Sequence, residues 1–232
     1  MIETITPINF RSFGPDTKPI TLGKLNILIG ANGSGKTNFL RWCRGDRDEN
    51  ENHPFEYLNC DSIPALRRVM EDDAMRERLC HYLRNYSWGF SNLSIDASDR
   101  IFITENTVRR PLSQYPKSLS NMIGLLAALF DPAGPELVLI DDLCAGFHLD
   151  LHSTLVDMLE EASERKQIIA TTHAETVLDA LTHKPECFYV TEKDKNGYTQ
   201  ITRLDPKELA PWLEKYSLGN LWASGQIGGN RW

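Results

Sequence analysis

Eight consecutive residues, Gly30-Ala31-Asn32-Gly33-Ser34-Gly35-Lys36-Thr37, restrict what this chain can fold into more than any other stretch. They match the phosphate-loop pattern G-x-x-x-x-G-K-[ST] in full. An alternating apolar run, Leu25, Ile27 and Ile29, precedes them and reads as a buried strand. Asn38-Phe39-Leu40-Arg41-Trp42 follows and reads as an opening helix. Strand, glycine loop and helix, in that order, are the context the motif requires. Gly30, Gly33 and Gly35 let backbone N–H groups curl around an anion in conformations that a β-carbon forbids. The helix start adds unpaired donors and the positive end of its dipole. Lys36 supplies a mobile point charge for the β and γ phosphates, and Thr37 a hydroxyl for Mg²⁺. The loop therefore predicts binding of a nucleoside triphosphate, held by Asn32, Gly33, Ser34, Gly35, Lys36, Thr37 and Asn38.

At 232 residues the chain suffices for a single α/β domain with an ample core. The apolar run Leu137–Ile140 is far too short to cross a bilayer. The opening residues MIETITPINF carry neither a basic flank nor a leader-like apolar segment, so secretion is not expected. Five scattered cysteines without a C-x-x-C fit reduced thiols and a cytoplasmic location. A net charge of −7 argues against a surface uniformly coated for nucleic acid, though a local basic face stays compatible with it. The arginines at 67, 68, 76, 78 and 84 are interleaved with Glu71, Asp72, Asp73 and Glu77, as in a solvated helix of mixed charge.

Ile2–Phe10 and Ile20–Leu22 read as an antiparallel pair of strands ahead of the nucleotide strand. The acidic stretch 45–52 reads as a surface loop. Asp61 is expected to cap one helix running to about Tyr86. Leu93–Asp96 and Ile101–Glu105 are expected to form a hairpin across Ala97-Ser98-Asp99, and residues 43–117 to form an insertion in a single domain spanning 1–232. Leu119–Phe130 is an apolar helix. Leu137–Ile140 is an unbroken apolar run, as expected of a central parallel strand covered on both faces. Helices over 150–164 and 175–181, a buried strand over 167–171, a hairpin of 187–191 with 198–203, and a last helix over 206–215 complete the pattern. Alternating strands and helices predict a mostly parallel sheet with helices on both faces.

Transfer from a Mg²⁺-nucleotide needs a carboxylate near the metal at a strand end and a group that orients the attacking water. Asp141 follows four apolar strand residues and meets the first need; Asp142 is placed to act on water. His173, at the tip of the next strand, is placed to contact the γ-phosphate.

INFRSFG…LGKLNILIGANGSGKTNFL, LVLIDDLCAGFHLDL and IIATTHAETVLDAL together resemble the ABC-type ATPases of the RecF, SMC and OLD group. The ending LDPKELAPWLEKYSLGNLWASGQIGG resembles that of the small bacterial predicted AAA-type ATPases of that group, some from phage-defence loci. The likeness covers residues 1–42 and about 119–229. It implies a P-loop, ABC-type head in which Asp141 is the Mg²⁺ carboxylate, Asp142 stands at the general-base position and His173 is the switch histidine. It also implies that Ala145–Asp150 is a dimer-contacting loop and that two copies sandwich ATP head-to-tail. Two departures matter. The family usually has Glu where this chain has Asp142, and misplacement by about 1 Å can cost on the order of a hundredfold in rate. The signature motif that reaches across the dimer is poorly kept, with Ser118 and Ser120 as alternative candidates. Slow hydrolysis, or ATP binding used as a switch, follows from both departures.

The resemblance implies an ATPase switch or motor in DNA maintenance or antiviral defence, acting on a separate effector protein and with nucleic acid as a possible partner. The competing expectation is a hydrolysis-deficient scaffold that ATP locks into an oligomer. His148 and His152 have a spacing that can hold zinc, but no neighbouring Glu and no clear third ligand accompany them. With only the stretch after His173 to hold it, the nuclease domain that OLD proteins carry is not expected here.

Overall fold

The computed structural model describes residues 1–46 and 62–228, which divide into two compact units. One draws on Met1–Phe55, Glu136–Ala145 and Ser163–Trp232, the other on Glu56–Pro135 and Gly146–Ala162.

In the first unit, Thr4–Ile5 (β1) pairs antiparallel with Ile20–Thr21 (β2). The expected long first strand is cut to these two residues, since Pro7 cannot donate to a ladder and the chain turns after it. Leu25–Ile29 (β3) is buried at all five positions and leads through the glycine loop into Lys36–Arg44 (α1). Leu137–Ile140 (β7), Gln167–Thr172 (β8), Phe188–Lys193 (β9) and Thr199–Arg203 (β10) complete a sheet of order β10-β9-β3-β8-β7. All neighbours pair in parallel except β9 with β10, a hairpin turned at Asp194–Gly197. The mixed, mostly parallel sheet expected from the alternation is present. β7, however, is an edge strand of it, not a central one, and its burial alternates. Its apolar run reflects the covering of an edge, which composition does not distinguish from a central position.

Phe10, Phe13, Leu22, Leu28, Phe39, Leu40, Ile169 and Tyr189 form one apolar cluster, with the Phe10 ring edge-on to Trp42 at 5.2 Å. Phe39 and Leu40 are the two buried residues of α1, so this cluster holds the helix that carries Lys36 and Thr37. Asn26 sits fully buried in β3 and is satisfied: its amide donates to the Gly23 and Ile168 carbonyls and its oxygen accepts the Gly23 N–H. After Glu175–Ala180 (α6) and Pro206–Leu213 (α7), a further helix, Leu218–Ala223 (α8), lies in the glycine-rich tail. It was not legible because Gly219 reads as a loop; in the fold Gly219 donates its N–H to Asp179 at a spot too tight for a β-carbon.

The second unit holds Ser62–Glu71 (α2), Asp73–Tyr86 (α3), a three-stranded antiparallel sheet, Lys117–Phe130 (α4) and most of His152–Ser163 (α5). Its sheet pairs Phe90–Ile95 (β4) with Ile101–Glu105 (β5), the expected hairpin, and adds Val108–Pro111 (β6). β6 has three exposed positions and so shows no buried alternation to read. The single helix expected up to Tyr86 is two, broken at Asp72. That carboxylate accepts the Ala74 and Met75 N–H groups at 3.0 Å and caps α3, and the local cap outweighs a partial apolar stripe. Asp61 and the acidic residues 47–52 lie outside the described residues. Asp46, expected on the surface, is buried against Arg44.

Replacement of Asp72 by Ala is expected to destabilise the protein by about 1 kcal/mol in urea denaturation, the usual cost of a lost helix cap. Retention of full stability would mean that the break between α2 and α3 does not depend on this carboxylate.

Candidate functional site

Ile29 pairs with Thr172 and Ile140 with Ala170, so the carboxyl ends of β3, β7 and β8 come level at one edge of the sheet. In open parallel sheets this edge is where ligands bind. Here a cavity of about 340 Å³ is lined by Asn32, Gly33, Gly35, Lys36, Thr37, Asn38, Asp141, Asp142, Thr171, Thr172 and His173. The structure thus gathers into one place the loop residues, the two aspartates and the histidine that the sequence singles out. Ser34 is buried and does not line the cavity. Ser118 and Ser120 lie in the first turns of α4 in the other unit, where the Ser118 hydroxyl is 2.6 Å from that of Tyr86.

The loop bends as glycine permits. Gly33 has φ 80° and Gly35 φ 113°, and a β-carbon on Gly35 would run into the Thr199 hydroxyl. Gly35 is the N-cap of α1 with no side-chain cap, so the first N–H groups of the helix stay available to an anion. The Lys36 ammonium donates to the Gly30 and Ala31 carbonyls at 2.8 and 3.0 Å. Burial lowers its pKa, and the facing carboxylates of Asp141 and Asp142 oppose that shift.

Asp141 is held from two sides. Its Oδ2 accepts the Thr37 hydroxyl at 2.9 Å, and its Oδ1 accepts that of Thr171 at 2.6 Å. Thr171 Oγ1 in turn accepts the Asp142 N–H at 2.8 Å, so one buried hydroxyl orients both aspartates. Asp142 stands in the left-handed region at φ 52°, where Asp is tolerated far better than most residues with a β-carbon. Its Oδ1 lies 3.6 Å from His173 Nδ1, a contact that becomes an ion pair when the imidazole is protonated. Burial, with the Asp142 charge adding to it, pushes the neighbouring Cys144 thiol up to about 11. Cys144 therefore stays neutral beside the carboxylates.

Sequence reasoning missed Thr171, Thr199 and Ser12. A polar residue closing the apolar run Ile168-Ile169-Ala170 is the signal that could have drawn attention to Thr171. Ser12 and Thr199 carry no such mark, because only the tertiary fold places them under the loop.

A hydroxyl and a carboxylate are hard oxygen donors that suit Mg²⁺. Among the described residues no group of three or more His, Cys, Asp or Glu is arranged to hold a metal by itself. Thr37 and Asp141 fit the implied metal, and the glycine loop with Lys36 fits a phosphate chain.

Comparisons with known proteins bear on the fold that carries these residues. A family model described as "AAA domain, putative AbiEii toxin, Type IV TA system" matches residues 81–179. No curated protein matches the chain in sequence. Among solved structures, an SMC head bound to the C-terminal winged-helix domain of ScpA is similar at a TM-score of 0.65 and 12% identity, over 90% of this chain and 99% of that one. The SMC head domain from Thermotoga maritima gives 0.59 and 16%, over 88% and 98%. CbiO1 from Clostridium perfringens, part of an ABC transporter complex, gives 0.52 and 16%, over 97% and 94%. The chain has the fold of the P-loop ATPase heads seen in SMC proteins and in the ABC-type CbiO1. No helix among the described residues is long and apolar enough to cross a membrane.

Thr171→Val keeps the shape but leaves the Asp141 carboxylate and the Asp142 N–H without their shared partner. Such a change is expected to destabilise the fold by about 1–3 kcal/mol, measured by chemical denaturation. An unchanged midpoint would mean that water replaces the hydroxyl at no cost.

Proposed function

We propose that the protein binds Mg²⁺-ATP and hydrolyses it slowly, as a head that closes head-to-tail on a second copy of itself and switches a partner between two states. The observation that carries this reading is the joining of Thr37, Asp141 and Thr171 by hydrogen bonds beside Lys36 in one cavity. Asn32, Gly33, Ser34, Gly35 and Asn38 would wrap the phosphates with backbone and side-chain donors. Lys36 would leave its two loop carbonyls for the β and γ phosphates. Thr37 and Asp141 would hold Mg²⁺, which when bound supplies positive charge to the phosphate oxygens. Asp142 would orient the attacking water and take its proton, with His173 near enough to share that charge. Ser118 or Ser120 of the second copy would complete the closed site. The two units would then form one ATPase domain with 43–117 as an insertion.

The partner is a separate effector protein, and the setting is DNA maintenance or antiviral defence in the cytoplasm. The name of the matched family model, a putative toxin of a toxin–antitoxin system, favours the second setting, and one similar SMC head is a structure with a bound partner domain. Nucleic acid remains a candidate effector of the cycle.

ATP turnover is expected with the native chain and none with Lys36→Ala, measured as phosphate release with and without DNA. Equal release from both proteins under both conditions would defeat the hydrolase reading. A second reading, ATP as a lock on an oligomer without chemistry, is favoured by the short Asp142 side chain on strained backbone. On that reading ATP raises the mass seen by light scattering while native turnover stays at the Lys36→Ala level, and Asp142→Glu restores it.

A further inference from the structure

We infer that Thr199, on β10 and outside every phosphate-binding motif of the chain, is the positioning residue that aims the phosphate loop at its ligand. Thr199 is fully buried, and its Oγ1 lies 2.7 Å from the Ser34 carbonyl, 2.8 Å from Ser12 Oγ and 3.2 Å from Lys193 Nζ. A hydroxyl has one proton and two lone pairs. The Lys193 ammonium only donates, so it takes one lone pair. Ser12 Oγ, which already accepts the Asn38 amide at 2.9 Å, stands on another side of the same hydroxyl. A carbonyl oxygen only accepts, so the 2.7 Å contact with Ser34 uses the Thr199 proton.

The consequence lies in the next peptide bond. Across a trans peptide the carbonyl of Ser34 and the N–H of Gly35 point in opposite directions. Pinning the Ser34 oxygen to Thr199 turns the Gly35 N–H away from β10, to the side where Gly35 lines the cavity and Thr199 does not. Without the bond this peptide is free to rotate, because glycine at Gly35 accepts either hand of φ. A rotated peptide would present a carbonyl oxygen to the anion in place of a donor. The clash that a β-carbon on Gly35 would make with Thr199 marks how closely strand and loop are fitted. The backbone bond from the Thr199 N–H to the Ser12 carbonyl, 2.7 Å, ties the same strand to the segment after β1. The β9–β10 hairpin, remote in sequence, thereby belongs to the nucleotide site.

This inference rests on the nucleotide reading above. Its test is titration calorimetry of Mg²⁺-ATP against the native chain, Lys36→Ala, Thr199→Val and Thr199→Ser, with the thermal midpoint of each unliganded protein measured alongside. Thr199→Val is expected to lose tenfold or more in affinity, a preorganisation effect rather than a lost contact. Thr199→Ser, which restores the hydroxyl, is expected to stay within about threefold of native on the same argument. Near-native affinity for Thr199→Val overturns the inference, as does an equal loss in the Val and Ser variants, which would assign the effect to packing. No binding by the native chain overturns the nucleotide reading itself and this one with it. If Thr199→Val does not fold, Ser12→Ala carries the test: a weaker loss of affinity supports the relay, and native affinity overturns it.

Discussion

The Asp141 carboxylate, gripped by the hydroxyls of Thr37 and Thr171, is the interaction on which the rest of the site depends. It joins three elements that have nothing in common in sequence: the helix after the glycine loop, the end of β7 and the end of β8. Two hydroxyls donate to this carboxylate from different elements and fix it in place. From this one fixed group the positions of the others follow, since Thr171 also orients the backbone of Asp142 and the next strand residue leads to His173.

The electrostatics of the cavity are balanced around the lysine. Lys36 faces two carboxylates and sits partly out of water, so its charge is costly in the free protein and is stabilised by acids on one side and loop carbonyls on the other. A phosphate chain with its metal is the ligand that satisfies both signs at once: anionic oxygens for the lysine and helix start, a cation for the aspartates. The left-handed backbone at Asp142 stores strain of the kind that gathers at functional positions.

Much of this was readable beforehand because it is local. The strand–loop–helix at 25–42 announces itself by periodicity and glycine spacing, and Asp141 by closing an apolar run. The β4–β5 and β9–β10 hairpins follow from turn residues. The misreadings have two causes. At Asp72 a side chain capped a helix that periodicity would have continued; at Gly219 a close approach made a glycine helical; at β7 an apolar edge strand imitated a central one. At Asp72 a local cap outweighed periodicity, whereas at Gly219 and β7 the outcome was set by distant segments, which leave no trace in a window of ten residues.

What the amino-acid order alone offered is a set of groups: a phosphate loop, two adjacent acids closing an apolar run and a histidine closing the next, in the order of an ABC-type head. What only the tertiary structure decided is how those groups are held. Thr171, Ser12 and Thr199 act because parallel registers and a hairpin carry them to the loop, across separations of up to 187 residues. Hydrogen bonds of that kind depend on distances of a few tenths of an ångström, and those are set by packing of the whole sheet rather than by any residue's own preference.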